Sequence, residues 1–128
     1  MANLFTRYRR SIETSDRQSD DSLKTHYYKT RASQMLDTVE KMFKEDADCQ
    51  IKTVSKDHGE IAVELKKPFP CFLIATVIQS KPLETAVDFH ISTERISLTG
   101  AFPALKKRIN AYYDRMAKLH TEIKPNKN

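Results

Sequence analysis

Asp88 and His90 are the two residues of this sequence that come closest to a catalytic pair. They lie two positions apart in residues 85–95, TAVDFHISTER, where apolar and polar side chains alternate. A period of two is typical of a strand with one buried face, so both side chains are predicted to lie on its solvent-facing side. A carboxylate close to an imidazole can hold that ring in one tautomer for acid–base chemistry. Glu64, on a neighbouring predicted strand, would be the third member of this group.

This group has no catalytic nucleophile beside it. Ser92 and Thr76 occupy ordinary strand positions, and no nucleophile at a strained turn accompanies the pair. We therefore predict that the row is a wet or partner-facing surface and that the protein is not an enzyme. A small enzyme or ligand-binding site centred on His90 is the third hypothesis for function.

Metal and cofactor motifs are also missing from the sequence. It contains no CxxC, no HExxH and no pair of histidines one helical turn apart. Two glycines in the whole chain leave nothing with which to build a phosphate-binding loop. We predict no metal and no cofactor. The residues considered as metal ligands are His26, His58, His90, His120, Cys49 and Cys71.

Length and composition predict a single cytoplasmic domain. The chain has 128 residues, 39% of them hydrophobic and 30% charged, which is ordinary globular usage. The N-terminus has no apolar core that could serve as a signal peptide, and no stretch approaches the roughly 18 apolar residues of a membrane span. Cys49 and Cys71 lack the spacing of a secreted disulfide scaffold, which favours a reducing compartment.

The two ends of the chain are predicted to lie outside the domain. Residues 1–22 combine a basic, aromatic stretch, LFTRYRR, with a polar one, SIETSDRQSDDS, and are predicted to form a mobile arm. Residues 23–124 form the domain, and residues 125–128, which begin with a proline, form a short tail.

Two segments have the three-and-four spacing of an amphipathic helix. The first has Thr30 as its expected N-cap, and the second begins at Pro103, where a proline costs no hydrogen bond. The stripe of the first is Ala32, Met35, Leu36, Val39, Met42 and Phe43. The stripe of the second is Phe102, Leu105, Ile109, Tyr112, Met116, Leu119 and Ile123.

Four strands are predicted between these helices. IKTVS and EIAVELK flank the turn KDHG, and CFLIATVIQS is joined by KPLE to the strand that contains Asp88. Short turns between successive strands favour an antiparallel meander. Because two helices with one stripe each can cover only one face of such a sheet, we predict a two-layer α+β domain of order α-β-β-β-β-α.

The uncovered face is the predicted partner-binding surface, and the third strand decides its character. If Phe72, Ile74 and Ile78 lie there, the face has an apolar patch of the kind that binds a partner. If Leu73, Ala75 and Val77 lie there instead, the patch is milder. The leading hypothesis is a non-enzymatic binding or regulatory module that contacts a protein partner or associates with its own copy as a homodimer. The residues assigned to this surface are Glu64, Thr76, Asp88 and His90.

A basic surface supports the second hypothesis, an accessory nucleic-acid-binding protein. The net charge is +5, and basic residues are concentrated in the last helix. Lysine and arginine neutralise phosphates, and exposed tyrosines such as Tyr112 and Tyr113 can stack on bases. A solvated outer helix face explains the same residues. The residues assigned to this function are Arg7, Arg9, Arg10, Lys106, Lys107, Arg108 and Arg115.

Four stretches give the chain a family resemblance: HYYKT, SKDHGEIAVEL, ATVIQSKPLETAVDF and FPALKKRI. Together they resemble a family of small, uncharacterised cytosolic proteins of Bacillus and its relatives, over roughly residues 23–119. The resemblance is a pattern of strands and not a catalytic signature. It implies a bacterial, cytosolic, single-domain protein and carries no known activity or site residues.

Overall fold

The computed structural model describes residues 11–94 and 101–124 of the chain. This part contains seven strands and two α-helices, together with a short 3-10 turn at Asp21–Leu23. The elements are β1 (Ser11–Glu13), β2 (His26–Tyr28), α1 (Ala32–Glu45), β3 (Cys49–Ser55), β4 (Glu60–Leu65), β5 (Cys71–Lys81), β6 (Glu84–Ser92), α2 (Phe102–Leu119) and β7 (Glu122–Ile123). Neither helix is long and apolar enough to cross a membrane.

All the strands of this part belong to one antiparallel sheet, in the order β3-β4-β5-β6-β2-β7, with β1 also paired to β6. β1 pairs with the end of β6, where Ile12 lies opposite Ile91, and β2 pairs with its start, where Tyr27 lies opposite Ala86. One edge of β6 therefore meets two short strands in line. The segment between them, residues 14–25, leaves the sheet.

The prediction of a four-stranded sheet between two helices is wrong, although the α+β class is confirmed. β3 to β6 are neighbours in chain order, as a meander requires. The three strands β1, β2 and β7 extend this sheet to seven. Each has two or three residues, which is too short for an alternation to be recognised, and each is held by pairing with a distant part of the chain.

Part of the predicted arm is joined to the sheet, because residues 11–13 form β1 and pair with β6. Ile12 is the one apolar residue of its polar stretch, and only 2% of its surface is exposed because it packs in the core. Thr14 is buried as well. The first ten residues of the predicted arm and the predicted tail at residues 125–128 lie outside the described residues.

The helices cover one face of the sheet and share one core. Phe89 of β6 contacts Tyr112 of α2 with ring centroids 5.9 Å apart, and Tyr112 meets Phe43 of α1 edge-on at 5.2 Å. The stripe predicted for the first helix is buried from Met35 to Phe43, as expected. The second helix ends at Leu119, earlier than predicted, and Ile123, the last residue of its predicted stripe, lies in β7 instead.

The N-terminus of α1 is capped from the sheet and not by Thr30. The Thr30 hydroxyl donates to the side chain of Gln34, while the first helical amide, at Ala32, donates to Oε1 of Gln79 on β5 at 2.9 Å. A helix's first amides have no partner within the helix, so a side chain distant in sequence satisfies one of them here.

Gly59 closes the β3–β4 hairpin in a backbone conformation that residues with a side chain rarely adopt. Its φ is +66°, and a Cβ atom built there would lie 2.3 Å from the carbonyl oxygen of Val77. We expect Gly59→Ala to lower the free energy of unfolding by about 2 kcal/mol. Alanine would be strained at a positive φ, and its Cβ would also clash with the Val77 carbonyl oxygen. Urea titration measures the change. Lys56→Ala, in the same turn, should shift it by less than about 0.5 kcal/mol, and equal effects would contradict the steric argument.

Two buried tyrosines provide a matched test of hydrogen bonding in the core. The hydroxyl of Tyr28 is buried without a hydrogen-bond partner in the described part of the chain, whereas Tyr113 donates to the carbonyl oxygen of Val87 at 2.8 Å. Tyr28→Phe should therefore leave stability unchanged or raise it by up to about 1 kcal/mol, and Tyr113→Phe should cost about 1 kcal/mol. Thermal and urea unfolding distinguish the two, and an equal loss from both variants would show that Tyr28 has a partner.

Candidate functional site

The face of the sheet opposite the helices, here called the open face, contains the apolar set of β5. Leu73, Ala75 and Val77 are buried on the helix side. Side chains alternate along a strand, so Phe72, Ile74, Thr76 and Ile78 lie on the open face. The side chain of Phe72 is 41% exposed and that of Ile78 is 55% exposed. Of the two arrangements left open by the sequence, the structure adopts the more apolar one.

All four residues predicted for the partner-facing surface lie on the open face. Thr76 is the register partner of Asp88, while His90 lies opposite Ile74 and Glu64 lies opposite Phe72. Glu64 is exposed and forms an ion pair of 3.2 Å with Lys52, and His90 is exposed as well. Asp88 is partly buried. The four side chains thus share one surface but have different environments.

A row of less polar side chains crosses four strands of this face. Ile78 of β5 lies opposite Ala86 of β6, Ala86 lies opposite Tyr27 of β2, and Tyr27 lies opposite Ile123 of β7. The sequence pattern did not identify this row, because Tyr27 and Ile123 belong to the short strands that it missed. Its signal in the sequence is limited to the tyrosine pair in HYYKT.

Asp88 connects the two ends of the segment that leaves the sheet. The hydroxyls of Thr14 and Thr25 each donate to the same carboxylate oxygen, Oδ1, at 2.7 Å. Thr14 also accepts a hydrogen bond from the amide of Phe89 at 2.9 Å. The loop therefore uses only one oxygen of the Asp88 carboxylate.

A hollow of about 570 Å³ lies beside this carboxylate, and Thr76, Arg17, Asp16 and Glu13 contribute to its lining. Burial raises the pKa of the Asp88 carboxyl, and the charges of Asp16 and Glu13 add to the rise, while the two threonine hydroxyls oppose it. Asp16 accepts a hydrogen bond from the hydroxyl of Tyr27 at 2.7 Å. The hollow combines three carboxylates with one arginine and so favours cationic groups.

The structure does not build the acid–base pair considered for Asp88 and His90. The Asp88 carboxylate is hydrogen-bonded to threonines, and His90 is exposed and outside the lining of the hollow. Residues two apart in a strand lie about 6.8 Å apart, so sharing a face does not by itself bring the Asp88 carboxylate within hydrogen-bond distance of the His90 ring. Asp88 orients a loop rather than an imidazole.

Of the four described basic residues that were predicted to bind nucleic acid, three form ion pairs within the fold. Lys106 pairs with Asp20, Arg108 with Asp46 at 2.8 Å, and Arg115 with Glu45 at 2.6 Å. Lys107 is exposed.

The tyrosines of the same helix do not have the position that base stacking needs. Tyr112 is 5% exposed and Tyr113 is 2% exposed, so neither ring can stack on a base as the sequence interpretation required. Arg7, Arg9 and Arg10 lie outside the described residues.

The histidines of the described ranges lie in different parts of the fold and have different neighbours. His26 stacks on the ring of Tyr113 at 3.5 Å, His58 lies 2.8 Å from the hydroxyl of Ser55, and the Thr38 hydroxyl lies 2.8 Å from His120. Within residues 11–94 and 101–124, no group of three or more histidine, cysteine, aspartate and glutamate side chains could hold a metal ion.

Comparison with known proteins finds no matching family model, no matching curated protein and no matching solved structure. The resemblance to the small Bacillus proteins therefore stays a prediction.

The raised pKa of Asp88 has a consequence for stability. The folded state binds the Asp88 proton more tightly than the unfolded state does, so this group's contribution to stability is greatest when it is protonated and falls as pH rises through the folded pKa. Asp88→Asn keeps an oxygen for both threonines and cannot ionise. We expect this variant to be more stable than the parent at pH 7, with a smaller difference at pH 3.

Chemical denaturation at both pH values measures this difference. Asp37→Asn, at an exposed position on α1, is the control and should change stability little at either pH. A loss of stability in Asp88→Asn at pH 7 would show that the ionised carboxylate stabilises the fold.

Proposed function

We propose that the protein is a non-enzymatic cytoplasmic binding module whose open face contacts another protein. The observation that carries this proposal is the exposure of Phe72 and Ile78, at 41% and 55%, on the face that neither helix covers. Burying a fully exposed side chain of this kind is worth about 1.5–3 kcal/mol, and about half of that gain is still available at each of these positions. Aromatic residues are frequent anchors of protein interfaces.

The charges of the open face favour a different protein over a second copy of this chain. Its strand positions hold five carboxylates against the two lysines Lys52 and Lys81. A symmetric dimer through this face would bring like charges together, which disfavours association. The carboxylates are Glu13, Glu60, Glu64, Glu84 and Asp88.

The cysteines support the cytoplasmic part of the proposal. Cys49 and Cys71 are both free thiols. Each is the register partner of Leu65, one on either side of β4, so their backbones lie roughly 10 Å apart. A disulfide requires Cα atoms within about 7 Å, so the sheet does not allow one to form between them.

A peptide-display selection against the immobilised protein tests the proposed surface. Phe72→Ser removes the aromatic anchor, and Phe102→Ser is a matched control because Phe102 is also 41% exposed but lies on α2. We expect selected clones to bind the parent and Phe102→Ser equally and to bind Phe72→Ser at least about tenfold more weakly, as for an interface anchor.

Sedimentation velocity of the same three proteins completes the test. We expect the parent and both variants to be monomers at micromolar concentration. A dimer that Phe72→Ser dissociates would replace the partner protein with a second copy of this chain. If the selected clones bind Phe72→Ser as tightly as the parent, the open face is not the binding surface.

A further inference from the structure

We infer that the partner of the open face is a cationic, apolar segment in which a lysine or arginine alternates with apolar residues. This inference rests on the proposed function, because it names the chemistry of the partner that the same face binds. It is carried by the order in which apolar and acidic positions follow one another across the sheet.

The sign of the charge on the open face is opposite to that of the whole chain. The protein carries a net charge of +5, whereas five carboxylates and two lysines occupy the strand positions of this face. Lys52 is already paired with Glu64 at 3.2 Å. Among the described residues, carboxylates outnumber lysines on this face, and such an acidic excess beside exposed apolar side chains is complementary to a basic and apolar surface.

The acidic positions form a row between two less polar ones. Glu60, Thr76 and Asp88 are successive register partners on β4, β5 and β6. Along β5, Ile74 lies on one side of this row and Ile78 lies on the other, each about 6.8 Å from Thr76. A partner lying along β5 therefore meets Ile74, then Thr76 with a carboxylate on either side of it, then Ile78.

An extended partner segment matches this spacing. In a strand, residues two apart also lie about 6.8 Å apart on one side, so an apolar residue, a basic residue and a second apolar residue at alternate positions would lie over Ile74, the acidic row and Ile78. Two sheets pack face to face about 10 Å apart, which a lysine or arginine side chain can span in part.

The hollow beside Asp88 gives the basic side chain a place to enter. It measures about 570 Å³ and is lined by Asp88, Thr76, Asp16 and Glu13 as well as by Arg17. The loop threonines donate to Oδ1 of Asp88, and within residues 11–94 and 101–124 no hydrogen bond reaches the second oxygen, which can accept from a partner's ammonium or guanidinium. A cation there would also offset the burial that disfavours the ionised form of Asp88.

Three cyclised hairpin peptides test the inference. Their outer faces read valine, variable residue, valine at alternate positions, with lysine, glutamate or serine as the variable residue, and cyclisation limits the ordering cost of binding. Amide NMR titrations of the isotope-labelled protein measure affinity and location. We expect the lysine hairpin to shift Thr76, Asp88 and Ile78 and to bind at least about tenfold more tightly than the glutamate hairpin, by charge complementarity.

Matched variants locate the charge. Asp88→Asn should weaken the lysine hairpin at least about threefold and leave the serine hairpin unchanged, while Asp37→Asn on α1 should affect neither. The affinity of the lysine hairpin should also fall with added salt, because salt screens the charges.

The results separate this inference from the proposed function. Equal binding of the lysine and glutamate hairpins, no effect of Asp88→Asn, or no binding by any hairpin would overturn the cationic partner. The Phe72-dependent display clones would then still support the open face. A lysine hairpin whose binding is insensitive to Phe72→Ser and shifts residues outside the sheet would overturn both.

Discussion

Strand β6 is the element on which the rest of the structure depends, because both of its edges are paired and its two faces have opposite environments. β5 pairs along one edge, and the two short strands β1 and β2 share the other. Val87, Phe89 and Ile91 enter the core, so alternation places Asp88 and His90 on the open face. The gap between β1 and β2 lies opposite Asp88, and this is where the loop and the hollow form.

The limited coverage by two helices gives the molecule its exposed surface. α1 and α2 lie side by side on one face, joined by ring contacts and by ion pairs such as that between Arg108 and Asp46. With no further described helix to cover the other face, Phe72 and Ile78 stay exposed. Three basic residues of α2 form ion pairs with carboxylates, so the cationic helix suggested by composition is partly neutralised. A basic protein thereby presents an acidic, apolar face.

The candidate site combines features that differ in how visible they are from the sequence. The alternation in EIAVEL and TAVDFHIS was sufficient to place Glu64, Asp88 and His90 on one face, because a period of two is a local property of the backbone. The hydrogen bonds that hold Asp88 were not predictable in this way. Thr14 is separated from Asp88 by 74 positions, and a contact over such a distance depends on how the chain returns to β6.

Hydrophobic periodicity was enough to predict the α+β class, the four central strands and the buried stripe of α1, because it is set by neighbouring residues. The strands at residues 11–13, 26–28 and 122–123 depend instead on long-range contacts, because segments this short form only where a partner strand supplies their hydrogen bonds. The tertiary structure also decided which side of β5 is buried. That strand is apolar on both faces, so its orientation follows from the pairing with β4 and β6, whose own alternation is unambiguous.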